Sequence, residues 1–182
     1  MADLVNGEFQ QMAQAGDNDE DRFENYLNKS FNKTGSLMTY SCEANAILSG
    51  ASEPEIKAAY DYGRNIGVAF QLVDDLLDFV SSADMLGKPA ANDMKLGLAT
   101  APVLFATKQY PELNHLIARR FAQAGDVEKA FQIVIDSDGL NETKKLATKY
   151  CNDATSALDL ITDSKYKSAL LGLCDKVLNR CN

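Results

Sequence analysis

Three aspartates fall within five positions of one oily stretch, FQLVDDLLDF from Phe70 to Phe79, with no lysine or arginine among them. On a helix turning about 100° per residue, Asp74, Asp75 and Asp78 share one face. Followed back through YGRNIGVAF, the same helix is covered over most of its circumference by Ile66, Val68, Ala69, Phe70, Leu72, Val73, Leu76, Leu77, Phe79 and Val80. That is the pattern of a helix buried in a larger helical protein. Arg64, Gln71 and the three aspartates share the remaining stripe, with Gly67 between them. Carboxylates crowded in a poorly solvated place must take up protons or bind a cation. Magnesium suits the second course, because it takes oxygen ligands and shares its shell among a few carboxylates, water and phosphate. A solvated acidic face is the alternative; the apolar surroundings favour the ion.

A metal-held phosphate carries more negative charge than one ion offsets, so lysines should converge on the stripe. Lys33 is followed by Thr34, Gly35 and Ser36, small residues that allow close approach, and Thr34 can donate a hydroxyl. Lys88, in LGKPAAND, stands on a loop beyond the end of the helix that Asp78 approaches, and a loop lysine can swing onto a phosphate. Alone, each reads as an ordinary surface lysine. Asp93 and Lys95 in NDMKLGLATAP are weaker candidates, since Asp93 is also placed to cap the helix carrying Pro102. Neither the Gly-rich phosphate loop nor the dinucleotide fingerprint occurs. A single histidine, His115, excludes a histidine-based catalytic or metal set, and reads as a surface or satisfied core residue. The run DNDEDR from Asp17 to Arg22 fails as a calcium loop, with Arg22 where glycine is needed and Asn28 where glutamate is.

The elements that must position these groups are all helical, with no alternating strand pattern. The spacing predicts helices over about 2–14, 21–28, 30–49, 53–81, 93–109, 111–123, 126–137, 140–161 and 164–181, separated by GDNDED, GASEPE, LGKPAAND, YPEL and AGDVEK. A chain of 182 residues with 46% hydrophobic content supports one domain. No apolar run reaches membrane-spanning length. A net charge of −8 argues against nucleic acid as a partner. The four cysteines, Cys42, Cys151, Cys174 and Cys181, form no CxxC pair, so neither a zinc site nor a disulfide framework is expected and a reducing compartment is the simpler inference. The opening MADLVNGEFQQM shows no signal or transit peptide, and its helical pattern starts without a capping approach, as in the middle of a longer chain.

GVAFQLVDDLLDF, GKPAANDMKLGLATAPVLFA, the KT pair at Lys33 and Thr34, and GEFQQ at Gly7 to Gln11 resemble the C-terminal half of the all-trans polyprenyl diphosphate synthases. The likeness runs through GDVEKA and LNETKKLATKYC, essentially the whole chain, and is strongest to the long-chain mitochondrial members that make the ubiquinone side chain. It implies an all-α isoprenoid-synthase-type bundle around a central cavity, with the N-terminal helices missing and residues 1–182 forming the C-terminal portion of one domain. It implies trans-prenyl transfer: magnesium held by two aspartate-rich motifs draws the diphosphate off an allylic substrate, and isopentenyl diphosphate adds to the cation. Asp74, Asp75 and Asp78 would then ligate magnesium, Lys33, Thr34, Gln71 and Lys88 would contact the allylic diphosphate, and Asp93 would help through water. Asp74, Asp75, Lys33 and Lys88 would carry the catalysis. Leu98 stands where many members have a lysine, and no second DDxxD occurs in these residues. The resemblance therefore implies half an active site, little activity alone, association as a homo- or hetero-oligomer with another synthase subunit, and a mitochondrial location in the matrix or at the inner-membrane periphery. A non-catalytic partner subunit, or a short-chain synthase or terpene cyclase of the same fold, are the other readings.

Overall fold

The computed structural model describes residues 19–83 and 91–181. The expected helix over 2–14, the Gly7 to Gln11 segment, and Lys88 with its loop lie outside them. Every regular element among the described residues is helical. They are α1 (Asp19–Ser30), a π-helical turn (Phe31–Gly35), α2 (Ser36–Leu48), α3 (Glu53–Ala83), α4 (Asn92–Lys95), α5 (Ala101–Ala106), α6 (Leu113–Ala118), α7 (Asp126–Asp136), α8 (Gly139–Ala157) and α9 (Lys165–Leu178). Single 3₁₀ turns, Leu158–Leu160 and Asn179–Cys181, close α8 and α9.

Three expectations need correction. The helices read separately over 21–28 and 30–49 are one rod, because the backbone stays right-handed through Ser30 and Ser36 and the junction is a π turn, in which the N–H of Ser36 reaches back to the carbonyl of Phe31. The helix expected over 93–109 is broken. Gly97 adopts a left-handed φ of 78° and its N–H closes on Met94 O at 2.9 Å, Thr100 is extended, and Pro102 opens α5. The one expected over 111–123 shortens to α6, because Arg120 and Phe121 turn left-handed at φ 55° and 54°.

Residues 53–83 make the central rod. Ser52 and Glu55 form a capping box at its start, the Ser52 N–H and hydroxyl both donating to Glu55 Oε2 at 2.8 and 2.7 Å. Ile66, Val68, Ala69, Leu72, Val73, Leu76 and Phe79 are buried along it, as the sequence predicts, whereas Val80 is exposed. Around α3 pack α2, α8 and α5; α8 contributes Ala147, Cys151 and Ala154 to the core and α5 contributes Val103 and Leu104, while Met38 and Cys42 of α2 pack against it and the Phe79 ring stacks on Phe131 at 5.6 Å. Cys42, Cys151 and Cys174 are free thiols on helices, and His115 is exposed.

The helices cross closest at glycines. A Cβ on Gly67 would stand 2.6 Å from Gly35 Cα, and one on Gly63 would meet Met38 O and Thr39 Cα at 2.8 Å. As the residue number rises along α3 (Gly63, Gly67), that of its partner falls (Thr39, Gly35), so the two rods run antiparallel.

Candidate functional site

The glycine crossing brings the π turn, which carries Lys33 and Thr34, against the aspartate stripe. One turn beyond Gly67 on α3, Gln71 Oε1 accepts the Thr34 hydroxyl at 2.7 Å. Gln71 Nε2 in turn donates to Asp75 Oδ1 at 2.8 Å, and the Tyr26 hydroxyl on α1 donates to Asp75 Oδ2. A relay of four side chains thus runs from the π turn to α3 and back to α1. π turns recur at functional sites because the extra residue re-aims its neighbours.

The three aspartates divide. Asp75 turns inward and is 2% exposed. Burial raises its pKa to about 7; the bonds from Tyr26 and Gln71 pull it down, while Asp93 and Asp74 push it further up. Tyr26 is held well above its ordinary value, first by burial and then by the Asp75 charge. Asp74 and Asp78, one turn apart, lie on the open side. The Asp74 side chain is 54% exposed and stands 3.4 Å from the Arg180 guanidinium, which also lies 4.5 Å over the Phe70 ring. Asp78 is half-buried and accepts the N–H groups of Asn92 and Asp93, each at 3.1 Å. Asp78 therefore caps α4; the helix carrying Pro102 has Thr100 at its N-cap, so Asp93, expected to cap it, instead sits half-buried in the first turn of α4. Its pKa is raised, first by burial and then by Asp78, and is drawn back by Lys33.

Arg64 leaves the stripe for solvent, its guanidinium 5.9 Å over the Phe31 ring. Lys95 is exposed. A pocket adjoins the relay, lined by Tyr26, Lys29, Lys33, Asp75, Asp93 and Thr100, with Leu98 at its wall. No three His, Cys, Asp or Glu side chains among the described residues converge as a metal cage. Magnesium needs none, since it keeps several waters and takes one or two carboxylates beside phosphate oxygens.

Sequence reasoning missed Tyr26, Lys29, Thr100 and Arg180. The first two had a signal: Tyr26, Lys29, Ser30 and Lys33 follow i, i+3, i+4, i+7 spacing on one face. Placing a helix break at 28–30 cut that face in two. Arg180, 106 residues from Asp74, had no local signal.

A family model described as polyprenyl synthetase matches residues 1–134. The chain is 48% identical over 179 residues to the human all trans-polyprenyl-diphosphate synthase PDSS1, covering 98% of this chain and 43% of that protein. It is 49% identical over 185 residues to a probable mitochondrial hexaprenyl pyrophosphate synthase of Yarrowia lipolytica, covering 99% and 41%. The chain therefore spans less than half the length of these relatives. Its structure superimposes on a Caulobacter crescentus polyprenyl synthase solved with calcium and isoprenyl diphosphate, with a TM-score of 0.83 and 31% identity over all of this chain and 56% of that one. With the family model covering most of its length and the fold shared throughout, the chain belongs to the polyprenyl synthetase family.

Proposed function

We propose that this chain is the lysine- and carboxylate-bearing half of a trans-prenyltransferase that condenses isopentenyl diphosphate with an allylic diphosphate to build a long polyprenyl diphosphate for the ubiquinone side chain. The observation that carries this reading is the crossing at Gly35 and Gly67, which sets Lys33 and Thr34 beside Gln71 and the aspartate stripe. Asp74 and Asp78 would hold magnesium from the open side, where it would supply neutralising charge to the departing diphosphate. Lys33 and Lys88 supply further positive charge to the leaving group, Thr34 and Gln71 orient it, and Asp93 assists through water. Asp75 is a positioning residue: held by Tyr26, it fixes the Gln71 amide, and Gln71 fixes the Thr34 hydroxyl.

Residues 1–182 form the C-terminal portion of the synthase domain, and a second aspartate-rich face from outside them completes the clamp. By itself the chain turns over little or no substrate. Its partner is another synthase subunit, in a homo- or hetero-oligomer, and its place is the mitochondrial matrix or the periphery of the inner membrane. The exposed apolar residues Leu37, Tyr40, Ile47 and Leu48 on α2 support such association. The test is magnesium titration in the presence of a non-hydrolysable allylic diphosphate, comparing the native chain with Asp74→Ala. The native chain is expected to bind and the variant to bind at least tenfold more weakly, roughly the loss of one charged ligand. Equal binding by both removes the assignment.

A further inference from the structure

The pocket beside the relay holds two groups that the proposed chemistry does not use. Thr100 is 8% exposed, lines the pocket, and its Oγ1 is buried without a hydrogen-bond partner. Although Thr100 stands at the N-cap of α5, its side chain does not cap that helix, so local structure leaves the hydroxyl unspent. Buried hydroxyls find partners almost without exception. The second group is Lys29, one turn before Lys33 on the same face and lining the same pocket. It is half-buried and makes no ion pair among the described residues. Its pKa is lowered, first by burial, then by the Lys33 and Arg120 charges. Two ammonium groups and an unpaired hydroxyl around one small space form an environment that an anion with several acceptor oxygens would relieve.

We infer that Lys29, Lys33 and the Thr100 hydroxyl form an anion subsite taking one phosphate group of the diphosphate, with Lys33 shared between this pocket and the Thr34–Gln71 contact. The inference rests on the diphosphate reading above and extends it to residues on α1 and α5. Asp75 on the pocket wall already spends both carboxylate oxygens on Gln71 and Tyr26, which leaves Asp93 as the carboxylate that the anion shares the pocket with.

The probe is inorganic pyrophosphate with magnesium, titrated calorimetrically into the full chain and into Lys29→Met, Thr100→Val, Lys33→Met and the exposed control Lys129→Met, with a thermal melt of each. Lys29→Met and Thr100→Val are each expected to weaken binding about five- to tenfold, the loss of one good hydrogen bond, while the control is unchanged. Thr100→Val in ligand-free form is expected to melt no lower than the native chain, because a methyl replaces an unpaired hydroxyl of the same size, a result that a purely structural threonine would not give. If Lys29→Met and Thr100→Val bind like the native chain while Lys33→Met is impaired, the subsite is wrong and the diphosphate reading stands. If Lys33→Met also binds like the native chain, or the native chain does not bind pyrophosphate, both fall.

Discussion

Asp75 and Asp74 are neighbours in sequence with opposite fates, and the difference yields two predictions at the residue scale. In the metal-free chain Asp75 has a pKa of about 7 against an ordinary 3.8. The folded state therefore keeps a proton that the unfolded chain has lost between those values, so this group's stabilising contribution is full below about pH 4 and is lost as pH rises through about 7. Melting temperature in a metal chelator should fall across that range, and Asp75→Asn should flatten the fall; an unchanged pH profile in the variant would show that Asp75 is not the titrating group. Tyr26→Phe removes one of the two donors to a buried carboxylate. It is expected to destabilise the chain by about 1–3 kcal/mol at neutral pH in denaturant unfolding, and less at pH 4, where Asp75 is protonated in either chain.

At the scale of elements, the site exists because two rods cross without side chains between them. Gly67→Ala places a methyl group against the Gly35 backbone, which cannot swing aside as a flexible side chain would. It should destabilise the fold by about 1–3 kcal/mol and, by parting Thr34 from Gln71, weaken diphosphate binding as well. Gly172→Ala is the contrasting case. It lies inside α9 with nothing within 4 Å of an added Cβ, and alanine there is expected to stabilise the helix by about 0.5–1 kcal/mol. Urea unfolding of both variants separates packing at the crossing from backbone entropy; a neutral Gly67→Ala would mean that the rods are free to move apart.

At the scale of the molecule, α3 is the axis and α2 the unfinished side. Leu37, Tyr40, Ile47 and Leu48 are 60%, 45%, 55% and 87% exposed, an apolar run along one helix that predicts concentration-dependent self-association. Sedimentation velocity of Leu37→Glu combined with Ile47→Glu should show a shift toward monomer, and no shift would place the contact elsewhere. The helices, the buried faces of α3 and the aspartate stripe were legible in the sequence, because helical periodicity and the spacing of Asp74, Asp75 and Asp78 are local properties of the chain. So was the pairing of Lys33 and Thr34 with small residues that let another backbone approach. Local information could not say that Ser30 and Ser36 bracket a π turn inside one rod, since hydrogen-bond register there is set by packing against α3. Nor could it divide the aspartates. Asp75 is inward because Tyr26, 49 residues away, reaches it across the crossing, and Asp74 faces Arg180 because α9 returns to the start of the site. Burial, and with it the proton affinity of each carboxylate, depends on what lies across the gap, and only the folded chain decides that.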